Sequence, residues 1–204
     1  MPQSPDAQPF DAARLKAAVE GRECLVGVAG GIAAYKTATV VSRLAQAGAR
    51  VTVAMTPAAT KFVTPLTFQA LSGRPVYTSP WEHVESSDPQ HISLASRADF
   101  AVVAPVSMDL MARLALGLTD DVVSLILSAI PRDRIPVLLA PAMNSVMWSQ
   151  PSSVRNREQL ARDGFRFVGP GDGWQACRAV GPGRMSEPEE ILEAICRLPL
   201  ASRG

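Results

Sequence analysis

Apolar runs of five to nine residues alternate along this chain with longer stretches in which apolar positions recur every three or four residues. The runs are CLVGVA (24–29), RVTVAMT (50–56), DFAVVAP (99–105), IPVLLAPAM (135–143) and FRFVG (165–169). They are short, rich in β-branched residues and apolar at almost every position, a pattern that predicts strands buried on both faces. The intervening stretches predict helices. The first runs from about Ile32 to Ala47 and is stopped by Gly48; others lie in MDLMARLALG (108–117), DDVVSLILSAI (120–130) and SSVRNREQLARDG (152–164). Strand and helix in regular alternation imply an α/β fold with a doubly wound parallel sheet.

The remaining segments carry no such period. Residues 1–22 are expected to be an N-terminal arm, disordered over the first nine, with a single domain from 23 to 204. The Gly-rich segment 171–186 is expected to be a long mobile loop. With 204 residues, 47% hydrophobic content and 19% charge, the chain has enough apolar material for one substantial core. A net charge of +1 provides no electrostatic footprint for nucleic acid or an anionic membrane, so the expected partner is a small molecule. The N-terminus lacks the apolar core of a signal peptide and no run reaches the length of a membrane span, which predicts a cytoplasmic protein. Cys24, Cys177 and Cys196 are odd in number and in no CxxC pair, and suggest neither a disulfide framework nor a metal site.

Ligands of doubly wound sheets bind beyond the carboxyl ends of the strands. Those ends carry Gly30 and Gly31, then Thr56, then Ser107 and Asp109, then Ala142 and Asn144. The first turn lacks GxGxxG spacing, and the second strand ends in Thr56 where a nicotinamide site needs an acid for the ribose. Two readings of these residues stay open: a phosphate site of a mononucleotide, or turns made by Gly-Gly and Thr56. Asn144 likewise either caps the short helix that follows it or presents its amide to a ligand beyond the strand. Cys177 lies beside Arg178, a setting that favours thiolate. His83 and His91 each carry an imidazole that can serve either proton role near neutral pH, although a bare His before an amphipathic stretch is more often structural.

The segments GGIAAYK (30–36), HISLASRAD (91–99), APVSMD (104–109), LTDDVV (118–123), PAMNSVMW (141–148) and ACRAVGPGRMSEPEEI (176–191) together resemble the flavin-dependent cysteine decarboxylases, over about residues 23–197. Within them the likeness is to the branch that acts on 4′-phosphopantothenoylcysteine in coenzyme A biosynthesis. The resemblance implies a flavodoxin-like/Rossmann-like three-layer sandwich, FMN as cofactor, no metal, and a homotrimer or multiple of trimers with flavin between subunits. It implies FMN contacts at Gly30, Gly31, Ile32, Thr56, Ser107, Asp109 and Ala142. Asn144 would hold the substrate carboxylate, Met147 would pack on the substrate or flavin, His91 would act near the flavin, and Cys177 would return a proton. The implied reaction is redox-neutral: oxidation at the cysteinyl carbon bearing sulfur makes the carboxylate labile, and hydride and a proton are then restored.

Four positions depart from the family pattern. Asp109 stands where an Asn is usual, Met108 before it where a small residue is usual, Gly31 where a Ser is usual, and Arg97 where a Trp is usual. A bare carboxylate at Asp109 would repel negative charge on substrate or reduced flavin. Asp109 favours a rival in which the protein binds FMN in a regulatory role without turnover, whereas His91, Asn144 and Cys177 oppose it. A peptidyl-cysteine decarboxylase and a flavin prenyltransferase share the sheet; PAMN and Cys177 disfavour the latter.

Overall fold

The structure, a computed structural model, describes residues 10–82, 89–174 and 180–201. In chain order the elements are α1 (Ala12–Val19), β1 (Glu23–Val28), α2 (Ala34–Gln46), β2 (Arg50–Met55), α3 (Pro65–Ser72), β3 (Val76–Tyr77), α4 (Gln90–Arg97), β4 (Phe100–Val106), α5 (Met108–Leu116) and α6 (Val122–Ser128). Then follow β5 (Val137–Pro141), α7 (Ser145–Ser149), α8 (Pro151–Arg162), β6 (Arg166–Phe167), β7 (Gly171–Trp174), β8 (Val180–Arg184) and α9 (Pro188–Ile195). Six strands pair in parallel in the order β3-β2-β1-β4-β5-β6. The chain reverses its direction of winding between β1 and β4, so a crevice opens beyond their carboxyl ends.

The strands' alternating side chains build two cores. Cys24, Val26 and Val28 of β1, with Phe100, Val102 and Ala104 of β4, face α1, α2 and α9 through Leu15, Leu44 and Ile191. Leu25 of β1, with Ala101 and Val103 of β4, face the opposite layer through Leu94 of α4, Leu110 of α5, Ile126 of α6 and Leu160 of α8. This is the expected three-layer sandwich. Helix α2 ends at Gly48, whose φ of 84° is open to glycine at little cost. Pro105 has no N–H to donate, and the β4–β5 register shifts between Val103 and Val106. The Ala104 carbonyl there accepts from the Thr37 hydroxyl at 2.5 Å, which ties α2 to the centre of the sheet.

Three segments differ from expectation. The folded body begins before residue 23, because α1, capped by the Asp11 carboxylate accepting from the Ala13 and Arg14 N–H groups, buries Leu15 and Val19. The segment 171–186 is not a plain loop: β7 and β8 pair antiparallel as a ribbon. Its GDGW and VGPGR sequences lack strand alternation, and the extended form comes from the cross-strand pairing instead. Edge strand β3 is too short, at two residues, to produce a period, although Tyr77 is fully buried. No described helix is long and apolar enough to cross a membrane.

If α1 is part of the folded body, Leu15→Ala, at a position 1% exposed, should cost roughly 2–5 kcal/mol. Chemical denaturation of both proteins checks this; an unchanged midpoint would show that α1 is dispensable.

Candidate active site

A cavity of about 670 Å³ opens beyond the carboxyl ends of β1 and β5 and under the β7–β8 ribbon. Its first wall is the segment Gly31–Lys36 at the start of α2. The opposite wall is Ala142–Asn144, and the roof is Trp174 with Gly183–Met185. The volume lies within the range of cofactor and small-ligand pockets, roughly 300–1,000 Å³.

The first wall is set by a close approach. A methyl group on Gly30 would lie 2.4 Å from the Ala58 Cβ and 3.0 Å from the Ala58 carbonyl carbon, so only glycine lets the β1–α2 turn meet the turn after β2. Next door, a methyl on Gly31 would meet nothing nearer than the Pro105 Cγ at 4.0 Å. Space is therefore left beside the start of α2, whose first turn has no side-chain cap. The first N–H groups of α2 are taken up by the turn itself, Ala34 donating to the Gly31 carbonyl and Lys36 to the Ala33 carbonyl, both at 3.0 Å, which leaves the N–H groups of Gly31, Ile32 and Ala33 as the donors that suit a phosphate. Thr56 is buried; its N–H donates to the Val28 carbonyl at 3.0 Å and its hydroxyl accepts from the Ala59 N–H at 3.2 Å. It thus makes the turn, and its hydroxyl hydrogen remains a donor.

The second wall is braced from two sides. The Ala142 N–H donates to the Val106 carbonyl at 3.0 Å, and the Met143 N–H to the Gly183 carbonyl at 2.9 Å, which joins β5 to the ribbon. Asn144 caps α7, its Oδ1 accepting from the Val146 N–H at 2.8 Å. Helix α7 rests on α8 through the Ser153 hydroxyl, which donates to the Met147 carbonyl at 2.6 Å, and through the Arg157 guanidinium, 3.7 Å from the centre of the Trp148 ring. Asn144 thus caps a helix, as the first of its two readings expects, and also lines the cavity. The cap uses the amide oxygen, whereas a carboxylate would be bound by the amide nitrogen.

Of the residues expected at the site, Gly31, Ile32, Ala142 and Asn144 line this cavity, and Gly30 and Thr56 form the turns beneath its first wall. Met147 does not line it and is 41% exposed on α7. Ser107 caps α5, its hydroxyl accepting from the Leu110 N–H at 3.1 Å. His91 stands on the first turn of α4 in a separate cavity of about 620 Å³, with Trp81 and Asp120 among its neighbours. Cys177 and His83 lie outside the described residues. The thiols of Cys24 and Cys196 are pushed up by burial and stay protonated.

Asp109 is exposed and does not present a bare charge. Its carboxylate accepts from Arg113 Nε at 2.8 Å, and Arg113 also pairs with Asp120. Hydrogen bonds donated to Asp120 and then to Asp109 hold the guanidinium above its ordinary range, and Arg113 in turn holds the Asp120 carboxyl low. The repulsion expected of Asp109 is offset by this partner.

The sequence reading assigned no role to Lys36, Trp174, Arg184 or Met185, all on the cavity wall. Lys36 and Arg184 were visible as lone cations within the apolar and Gly-rich segments GGIAAYK and GPGRM.

The Flavoprotein family model matches residues 13–199. The chain is 45% identical over 177 residues to the coenzyme A biosynthesis bifunctional protein CoaBC of Haemophilus influenzae, covering 87% of this chain and 44% of that protein. It is 43% identical over 175 residues to CoaBC of Bacillus subtilis, covering 86% and 42%. The chain thus spans less than half the length of these relatives. A mutant PPC decarboxylase complexed with pantothenoylaminoethenethiol superposes with a TM-score of 0.75 at 26% identity, over 85% of this chain and 96% of that one. The FMN-dependent cysteine decarboxylase SpaF superposes with a TM-score of 0.74 at 27% identity, over 86% and 95%. With a family model spanning nearly all of the described body and relatives above 40% identity, the chain belongs to the Flavoprotein family.

Proposed function

We propose that this chain binds FMN and decarboxylates 4′-phosphopantothenoylcysteine to 4′-phosphopantetheine. The observation that carries the reading is Asn144 on one wall of a cavity whose facing wall is the uncapped start of α2. The relatives named for coenzyme A biosynthesis supply the substrate class. The donor set fits FMN: helix-start N–H groups and the Thr56 hydroxyl for the phosphate, and exposed Ile32 with Ala142 for the apolar ring system.

When bound, FMN supplies two-electron exchange with the cysteinyl carbon. The chain's own residues orient and control protons. Asn144 donates from its amide nitrogen to the substrate carboxylate, fixing the group to be lost without a full positive charge that would over-stabilise the starting anion. Met147 borders the substrate from α7. Cys177 supplies the proton that completes the product, since a thiol is a much stronger acid than an alcohol. His91 lies in another cavity, so it reaches the flavin as His91 of the partner subunit, in a homotrimer or multiple of trimers with flavin between copies. Ser107 and Asp109 would contact FMN there from the start of α5, Asp109 with its charge paired to Arg113.

The test is mass spectrometry of FMN-loaded protein, sized by sedimentation and incubated with 4′-phosphopantothenoylcysteine. A trimer, or a multiple of one, that releases carbon dioxide and forms 4′-phosphopantetheine is expected. Cys177→Ser should stop at a compound two hydrogen atoms lighter. No carbon dioxide from fully loaded protein would end the proposal, and normal product from Cys177→Ser would place the acid elsewhere.

Asn144→Asp separates holding a carboxylate from capping α7. Asp caps as well as Asn, but it sets like charge against the substrate. A loss of at least about 100-fold in kcat/KM, on the order of 3 kcal/mol, is expected with FMN still bound. Activity near that of the unmodified protein would reduce Asn144 to a cap.

A further inference from the structure

Among the described residues lining the cavity two carry charge, Lys36 and Arg184, and both are cations. They share one acceptor atom: Glu187 Oε1 accepts from Lys36 Nζ at 3.0 Å and from Arg184 Nη2. The same carboxylate also caps α9 in a reciprocal box with Glu190. One negative charge cannot neutralise two positive ones, so the wall retains a net positive charge. Exposure decides where that charge is available. The Lys36 side chain is 10% exposed and is also held by the Met185 carbonyl at 3.5 Å, whereas the Arg184 side chain is 43% exposed.

A guanidinium has five N–H donors, and among the described residues only Nη2 of Arg184 has a protein acceptor. The facing strand leaves it room: a methyl on Gly173 would come within 3.3 Å of Arg184 Nη1. A half-exposed guanidinium with donors to spare, at the rim of a cavity with no acid on its wall, matches the charge and geometry of a phosphomonoester.

We propose that Arg184 binds a phosphomonoester of the substrate, its charge only partly met by Glu187, which Lys36 shares. The placement of the substrate rests on the decarboxylase reading above. The cofactor's own phosphate is the other source of this chemistry, and the comparison of FMN with riboflavin below distinguishes the two.

The experiment is calorimetric titration of the FMN-loaded protein with 4′-phosphopantetheine and with pantetheine, which differ only in the phosphate. The unmodified protein should bind the phosphorylated ligand at least about 10-fold more tightly, with the gap closing as salt is raised. In Arg184→Gln the phosphorylated ligand should fall to about the affinity of pantetheine, whose own affinity stays the same. Equal affinities in the unmodified protein, no binding of either ligand, or equal weakening of both in the variant would overturn the proposal. So would a variant that loses FMN but keeps riboflavin, because Arg184 would then serve the cofactor. Carbon dioxide release judges the decarboxylase reading separately: phosphate preference without release sinks that reading alone, and release without preference sinks this one alone.

Discussion

The contact between the two turns at Gly30 and Ala58 governs the rest of the site. A methyl group at Gly30 would sit 2.4 Å from the Ala58 Cβ, well inside van der Waals contact, so the turn after β1 settles against the turn after β2 only because residue 30 has no side chain. That approach places the turn Gly31, Ile32 and Ala33, which leads into α2, on the wall of the crevice. Thr37, one turn further on, then reaches the Ala104 carbonyl beside the irregular stretch of β4. The helix start, the sheet centre and the cavity floor are thus fixed by one steric constraint and one hydrogen bond.

Electrostatics on the other side of the cavity follow a similar economy. Glu187 caps α9, pairs with buried Lys36 and pairs with Arg184, so the ribbon, α2 and α9 meet at a single carboxylate. Arg113 performs the equivalent task at the start of α5, where it takes both Asp109 and Asp120. In each place an ion that would disturb an anionic ligand on its own is held by an opposite charge, and the excess positive charge lies on the cavity wall at Lys36 and Arg184. The more exposed of these pairs, Arg184 with Glu187 and Arg113 with its two aspartates, add little to stability, and their value lies in orienting side chains.

Burial explains how much of this could be read from the sequence. Strands β1, β2, β4 and β5 are covered on both faces, so their near-continuous apolar runs announced them and their order along the chain. Gly30, Gly31, Ala142 and Asn144 were legible because they directly follow those runs. Three features were hidden. Helix α1 has only Leu15 and Val19 as buried anchors, and the β7–β8 ribbon is built from glycine and proline, whose pairing is tertiary. The separation of His91 from Asn144 depends on which cavity α4 faces, a property with no local signature. The amphipathic pattern around His91 predicts α4 and says nothing about what the imidazole meets.

The central claim is that the start of α2, held by the Gly30 approach, forms the flavin phosphate site. The direct measurement is FMN affinity, followed by flavin fluorescence, for Gly30→Ala and Gly31→Ala side by side. Neither glycine has a positive φ, so the two substitutions differ in what the new methyl meets: Ala58 at 2.4 Å in one case and nothing nearer than 4.0 Å in the other. The account expects Gly30→Ala to weaken FMN by at least about 100-fold, on the order of 3 kcal/mol, and Gly31→Ala to bind within a few-fold of the unmodified protein. Equal FMN affinity in Gly30→Ala and the unmodified protein would contradict it.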